Sequence, residues 1–397
     1  MAVCRYFLKS ITIHFFDVIA DWQEPLGLTL NNSRKSSDQR TESKEAPMCG
    51  ANLSTLPQTL PDKSGWPWTD ESPQMPDTML NGSYWPRVSI VTPSYNQGRF
   101  IEETIRSVLL QGYPNLEYII IDGGSTDQTV EVIRRYEPWL TYWASEPDRG
   151  QSHAINKGLK RASGEIVAYL NSDDMYLPGA LGEIAQFLAE HEDIDIVYGD
   201  CRIIDGESQA VSVARSREFD LFTELCRNFL KQPTVFMRRK LLDLVGYLDE
   251  DLHYVMDIDY WWRAAMSTQF AYLPHELAVF RLSAETKTGK GSLPFTQERE
   301  KVIERFFGLY ADSDIQHWKN HVLAWHYYRA GSQLYAENEL IVARENFIKA
   351  IKLAPFCLKA LLSLLAIADI NVNSNFYSKA ENILRKHLQP SRFHKRI

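Results

Sequence analysis

Residues 87–137 read "RVSIVTPSYNQGRFIEETIRSVLLQGYPNLEYIIIDGGSTDQTVEVIRRYE", and the pattern in them decides the fold. "RVSIVTPS" and "LEYIIID" are short β-rich runs, apolar throughout rather than alternating, as expected of strands covered on both faces. Between them, Ile101, Ile105, Val108 and Leu109 recur at helical spacing, giving the apolar face of a helix that ends at Gly112. "TDQTVEVIRRYE" reads as a second helix. Further on, "LTYWASEPDRG" reads as strand and loop, "QSHAINKGLKRASG" as a helix and "EIVAYLNSDD" as a strand. Strands alternating with helices through short turns predict an α/β fold with a doubly wound, mostly parallel sheet.

Such sheets bind ligands beyond the carboxyl ends of their strands. The polar stretches fall there repeatedly: "TPSYNQG", "DGGSTD", "SEPDRGQ" and "NSDD" follow four successive strands. In "NSDD", Asp173 and Asp174 can hold a hard divalent cation, which prefers oxygen ligands, or can cap a turn. Asp122 can accept hydrogen bonds from a base or a ribose. The plainer reading is a Gly123–Gly124 turn with a capping box between Ser125 and Gln128. Tyr95 offers a flat surface to a ring, beside Thr92 and Asn96 as polar contacts. In "MDIDYWWR", Asp257 and Asp259 precede Trp261, Trp262 and Arg263. A carboxylate beside bulky aromatics is partly desolvated, which raises its pKa toward that of a useful base, and aromatics suit sugar faces. An amphipathic helix with core tryptophans is the alternative. His317 and His321 share a helical spacing without the glutamate of a zinc motif, and read as packing residues.

The bulk composition narrows the function. A formal net charge of -8 offers no basic field for a nucleic acid backbone. Cys4, Cys49, Cys201, Cys226 and Cys357 are scattered and odd in number, which argues for a reducing compartment. No apolar run reaches the ~18 residues of a membrane span. The stretch Phe7–Trp22 is broken by Lys9, His14 and Asp17 and lacks a signal-peptide cleavage site. The expectation is a cytoplasmic protein, with peripheral contact at the inner face of a membrane left open. No Walker motif and no G-x-G-x-x-G follows the first strand, which weighs against a nucleotidyltransferase and a dinucleotide enzyme.

Taken together, "VSIVTPSYNQGRFIEETIRSVLLQGYPNLEYIIIDGGSTDQTVEVI", "SEPDRGQSHAINKG" and "GEIVAYLNSDD" closely resemble the family 2 glycosyltransferases of GT-A fold. The resemblance covers residues 87–180 and extends toward Ser283. It implies an inverting transferase that uses a nucleotide-diphosphate sugar, most often a UDP-sugar, with Mn or Mg. By position, Pro93 and Tyr95 would line the base pocket and Asp122 would contact the base. Asp148 and Gly150 would lie on the nucleoside or sugar side. Asn171 and Asp173 stand at the two ends of the family's D-x-D, with Asp173 as the metal ligand. Asp257 would be the catalytic base, and Gln232 would lie near the acceptor. Asn171 replaces the first acid of the D-x-D, Met256 an acid often found before the base, and Ser283 a histidine of some members. A glycan or lipid-linked acceptor is the family-level expectation. The alternative is a catalytically silent nucleotide-sugar-binding or scaffolding protein.

Three regions follow from the pattern. Residues 1–84 read as an N-terminal arm, largely irregular or disordered, although Trp66 and Trp68 argue that "SGWPWTDESP" packs back onto the body. Residues 85–300 form the transferase domain, with a nucleotide half at 85–180 and an acceptor half at 181–300. Residues 301–397 form a helical tail, where Ala343, Phe347 and Pro355 match tetratricopeptide offsets and Ala380 and Leu384 give a weaker echo. A protein partner through this tail is left open.

Overall fold

The computed structural model describes residues 39–40, 51–58, 63–283, 292–354 and 360. The expected helix near the amino terminus, the loop after Ala284, Pro355 and the echo at Ala380 lie outside these residues, as do Cys4, Cys49 and Cys357.

The chain divides into two compact units, Met1–Glu224 with Asn228–Lys290, and Leu225–Arg227 with Gly291–Ile397. In the first, the strands are β1 (Gln39–Arg40), β2 (Val88–Ser94), β3 (Leu116–Asp122), β4 (Tyr142–Ser145) and β5 (Ile166–Tyr169), followed by β6 (Met175–Tyr176), β7 (Ile196–Ile204), β8 (Ala210–Ala214), β9 (Phe236–Arg238) and β10 (Phe270–Arg281). The intervening helices are α1 (Ile101–Leu109), α2 (Thr129–Tyr136), α3 (Gln151–Leu159) and α4 (Ala180–Glu190), then α5 (Leu221–Arg227, whose last three residues group with the second unit), α6 (Lys240–Leu244) and α7 (Met256–Ala265). The strands form one ten-stranded sheet in the order β1-β4-β3-β2-β5-β9-β7-β10-β6, with β8 beside β7.

The sheet is mixed, which corrects the mostly parallel expectation. Strands β4, β3, β2 and β5 run parallel, but β9 enters antiparallel to both β5 and β7. Apolar runs announce burial on both faces and carry no information on direction. The burial itself is as read, since every residue of β2 is buried. In α1, Ile101, Ile105 and Val108 are fully enclosed, with Glu102 and Glu103 in its first turn, where the helix dipole favours acids. Helix α3 lies close on the sheet: a Cβ on Gly158 would stand 2.3 Å from Cγ1 of Val91. Only glycine permits that approach.

The described part of the arm is irregular, yet it is packed. Arg106 of α1 is 1% exposed, and a guanidinium so buried needs acceptors. The arm supplies them: Nε donates to the carbonyl of Pro67 at 2.9 Å, Nη1 to that of Pro57 at 3.1 Å and Nη2 to that of Trp68 at 3.2 Å. The indole of Trp66 donates to the carbonyl of Tyr176 at 2.8 Å.

The second unit holds α8 (Ser292–Leu309), α9 (Lys319–Ala336) and α10 (Leu340–Leu353). The last two form a helical hairpin whose interface buries Ala343, Phe347 and Ala350. This is one hairpin among the described residues, and one hairpin does not make a tetratricopeptide array.

Candidate active site

The parallel strands bring their carboxyl ends to one edge. Ser94, Asp122 and Ser145 stand on the same rung of β2, β3 and β4. Val91 pairs with Tyr169, so the chain leaving β5 passes the same edge.

Asp122 is fully buried, and its carboxylate is already occupied. Oδ2 accepts from the N–H of Gly124 at 3.1 Å, the N–H of Ser125 at 2.9 Å and the hydroxyl of Ser145 at 2.6 Å, while Oδ1 takes the Ser125 hydroxyl at 2.5 Å. The acid clips the turn and ties β3 to β4. The expected capping box is absent: the Ser125 hydroxyl serves Asp122, and Asp127 caps α2 instead, accepting from the N–H of Thr129 at 3.0 Å. Asp127 also accepts from Gly98 N–H at 2.9 Å, joining this loop to the one after β2. Asp148 lies against the turn, and a Cβ on Gly123 would come within 2.7 Å of its Oδ2. Its Oδ1 accepts from the N–H of Gly150 at 2.8 Å, where a φ of +116° turns the chain into α3.

At the end of β2, Thr92 and Pro93 are buried, and the Thr92 hydroxyl meets that of Tyr118 at 3.1 Å. Tyr95 is 60% exposed, so its ring is open at the edge. The Ser94 hydroxyl is buried without a hydrogen-bond partner among the described residues, an orphaned polar group that nothing in the sequence marks.

Asn171 is a junction. Its Oδ1 accepts from Nε2 of Gln151 at 2.7 Å, and its Nδ2 faces Oε1 of Gln232 and Oδ2 of Asp174, each at 3.2 Å. Gln232 in turn donates to the carbonyl of Tyr169 at 2.7 Å. One amide thus links α3, the loop after β5 and the segment before β9. Nothing in the sequence assigns Gln151 a role. Its partner lies 20 residues away, a distance at which spacing carries no signal.

The two acids after β5 differ in orientation. Asp174 is 1% exposed and points inward, accepting from the N–H of Arg281 at 3.0 Å and from Asn171. Asp173 is partly exposed, and its carboxylate accepts no hydrogen bond from any other described residue. Burial pushes both carboxyls above the usual range, and at Asp174 the charge of Asp173 adds to it. The Arg281 charge beside them lowers both without outweighing burial. Among the described residues, no group of three His, Cys, Asp or Glu side chains could hold a metal alone. An open carboxylate with a raised pKa does fit a cation that takes one protein acid and completes its shell elsewhere.

Asp257 sits in the first turn of α7, where the helix dipole favours an anion. The Tyr169 hydroxyl is held neutral chiefly by burial, then by the charges of Asp257 and Asp174, so these acids lie within electrostatic reach of one residue. Asp259 is buried and pairs with Nε of Arg263 at 2.9 Å. Trp261 and Trp262, expected at an acceptor surface, are 3% and 0% exposed and pack as core side chains of α7.

Comparison with known proteins follows the same residues. The family model for glycosyl transferase family 2 matches residues 89–251. An uncharacterized glycosyltransferase of Rickettsia typhi is 29% identical over 237 residues, spanning 57% of this chain and 74% of that one. An uncharacterized glycosyltransferase of Mycobacterium tuberculosis is 31% identical over 189 residues, spanning 46% and 70%. Among solved structures, residues 1–349 of S. aureus TarS in complex with UDP-GlcNAc superpose with a TM-score of 0.52 at 21% identity, covering 76% of this chain and 92% of that one. That likeness extends to the fold, a GT-A-like mixed α/β sheet followed by helices.

Proposed function

Since the chain belongs to glycosyl transferase family 2 and is a glycosyltransferase, we propose that it moves a sugar from a nucleotide-diphosphate sugar, a UDP-sugar, to an acceptor hydroxyl. The transfer inverts the anomeric carbon and is assisted by Mn or Mg. The observation that carries this reading is the half-buried Asp173 carboxylate, which accepts no hydrogen bond from any other described residue and follows the last of the four parallel strands.

In this account Asp173 would hold the cation, which when bound would supply positive charge to a departing diphosphate. Asp257 takes the proton of the acceptor hydroxyl. A bond forms from that oxygen to the anomeric carbon, and the bond from the anomeric carbon to the diphosphate breaks on the opposite face. Inversion needs a single base, and Asp257 suits it as a carboxylate at a helix start. Tyr95, open at the edge, stacks on the base of the nucleotide. Asp148 and Gly150 line the ribose or sugar, and the orphaned Ser94 hydroxyl gains a partner there. Asp122 acts by holding the turn that they share, and Asn171 and Gln232 fix the floor between donor and acceptor. Residues 85–180 form the donor half and 181–300 the acceptor half.

The test is UDP release from a panel of UDP-sugars, with Mn2+ or with EDTA. One sugar nucleotide releases UDP only with the metal. Asp257→Asn lowers that rate by about 100-fold or more while UDP still binds, as expected for loss of a general base. Turnover near that of the unaltered protein in Asp257→Asn contradicts the assignment.

A further inference from the structure

Arg281 ends β10, far in sequence from the loop that carries Asp173, and is 1% exposed. Its guanidinium reaches three separate segments. Nε donates to the main-chain carbonyl of Asp173 at 3.0 Å. Nη2 pairs with Glu103 of α1. Nη1 donates to the Ser208 hydroxyl at 2.8 Å and to the carbonyl of Asp205 at 3.2 Å, in the turn between β7 and β8. The group lies 4.7 Å over the Phe100 ring. Its own main-chain N–H donates to Asp174, whose carbonyl also accepts from the Thr104 hydroxyl at 2.7 Å.

The result is a selective restraint. The carbonyl of Asp173 is tied down, and so are the carbonyl and both carboxylate oxygens of Asp174. The Asp173 carboxylate is the group left to project. A lysine could supply the charge of Arg281 but not its fork, because an ammonium is a compact point charge and a guanidinium presents donors in fixed directions. Nor does a buried arginine stabilise a core better than an apolar side chain, so what it contributes is a defined geometry.

We propose that Arg281 is a positioning residue for cation binding: by holding the Asp173 peptide from β10, it aims the Asp173 carboxylate at the bound cation and the diphosphate. This rests on the reading of Asp173 as the cation ligand. Partners of a metal ligand typically contribute about 10- to 100-fold to metal affinity, and Arg281 acts through the ligand's main chain rather than its carboxylate.

The experiment is calorimetry of UDP binding in Mn2+ and in EDTA, for the unaltered protein, Arg281→Lys, Asp173→Ala and the double variant, with folding checked by circular dichroism. In Arg281→Lys, binding in EDTA is unchanged, and the gain from Mn2+ falls by about tenfold or more. In the Asp173→Ala background, Arg281→Lys changes nothing further, because both act through one group. A folded Arg281→Lys with the full Mn2+ gain overturns the proposal. So does equal weakening in Mn2+ and EDTA that persists in the double variant, the mark of a merely structural role. No Mn2+ gain in the unaltered protein sinks the cation reading itself, and the proposal with it. Should Arg281→Lys not fold, Glu103→Gln, which loosens the guanidinium from α1, carries the same comparison with a smaller expected loss.

Discussion

The side-chain amide of Asn156 pairs with both main-chain groups of Leu248, donating to the carbonyl at 2.8 Å and accepting from the N–H at 3.1 Å. It does for that residue what a neighbouring strand would do. One turn earlier on α3, the Ser152 hydroxyl donates to the carbonyl of Leu252 at 2.8 Å. Arg263 reaches back from α7 to the carbonyls of Val245 and Tyr247, at 2.6 and 2.9 Å. The segment leading into the helix of Asp257 is thus held from both sides. Asn156→Ala leaves two buried main-chain groups unpaired, and a loss of about 2 to 4 kcal/mol follows. Urea denaturation measures it; a midpoint equal to that of the unaltered protein contradicts the pairing.

One buried cation gathers three carbonyls of the arm. Arg106→Ala removes the donor from the carbonyls of Pro57, Pro67 and Trp68, and costs about 3 kcal/mol or more. Lys63 lies in the segment so released, its ammonium 4.8 Å over the Trp68 ring. Limited trypsin digestion followed by mass spectrometry then cuts after Lys63 sooner in the variant. An unchanged cleavage rate contradicts the clamp.

Asp122 organises its loop through four donors, so removing its charge weakens all of them at once. Asp122→Asn turns one acceptor oxygen into a donor facing donors, and stability falls by about 2 kcal/mol or more. The melting temperature measures this without any nucleotide present. A variant that melts like the unaltered protein, yet loses UDP binding, would instead make Asp122 a direct contact.

His326 makes the helical unit sensitive to acid. It is 4% exposed, and burial, then Arg299, Arg329 and Lys349, push its pKa down to about 3. The unfolded chain takes up the proton near about pH 6.5. Between the two values the unfolded state binds more protons, so stability is full above about pH 6.5 and falls as the pH drops. From pH 7 to pH 5 this residue accounts for a loss of about 2 kcal/mol. Its Nε2 has no hydrogen-bond partner, so His326→Leu leaves no donor stranded at that atom and flattens the profile. An equally steep profile in His326→Leu contradicts the assignment.

Much of the edge at the strands' carboxyl ends was legible because it rests on local signals. The apolar face of α1, the strand ends at Ser94 and Asp122, and the start of α3 at Gly150 all follow from period and turn chemistry within short windows. What was not legible is long-range. Glu103 and Arg281 are 178 residues apart, and no spacing joins them. The antiparallel entry of β9 depends on a connection whose direction leaves no mark on composition. Trp261 and Trp262 show the limit of residue type: the same side chains suit a sugar surface and a core, and only packing decides between them. In the described part of the arm, Pro57, Pro67 and Trp68 are tied to the body through carbonyls gathered by a buried arginine, and such ties leave no apolar period to read.

The most direct test of the central claim is calorimetry of UDP with and without Mn2+, on the unaltered protein and on Asp173→Ala. UDP is the nucleotide to use first because the proposed donor is a UDP-sugar. The account predicts binding that tightens with Mn2+ in the unaltered protein and loses that gain in Asp173→Ala. Binding that ignores Mn2+, or a full Mn2+ gain without the Asp173 carboxylate, contradicts it.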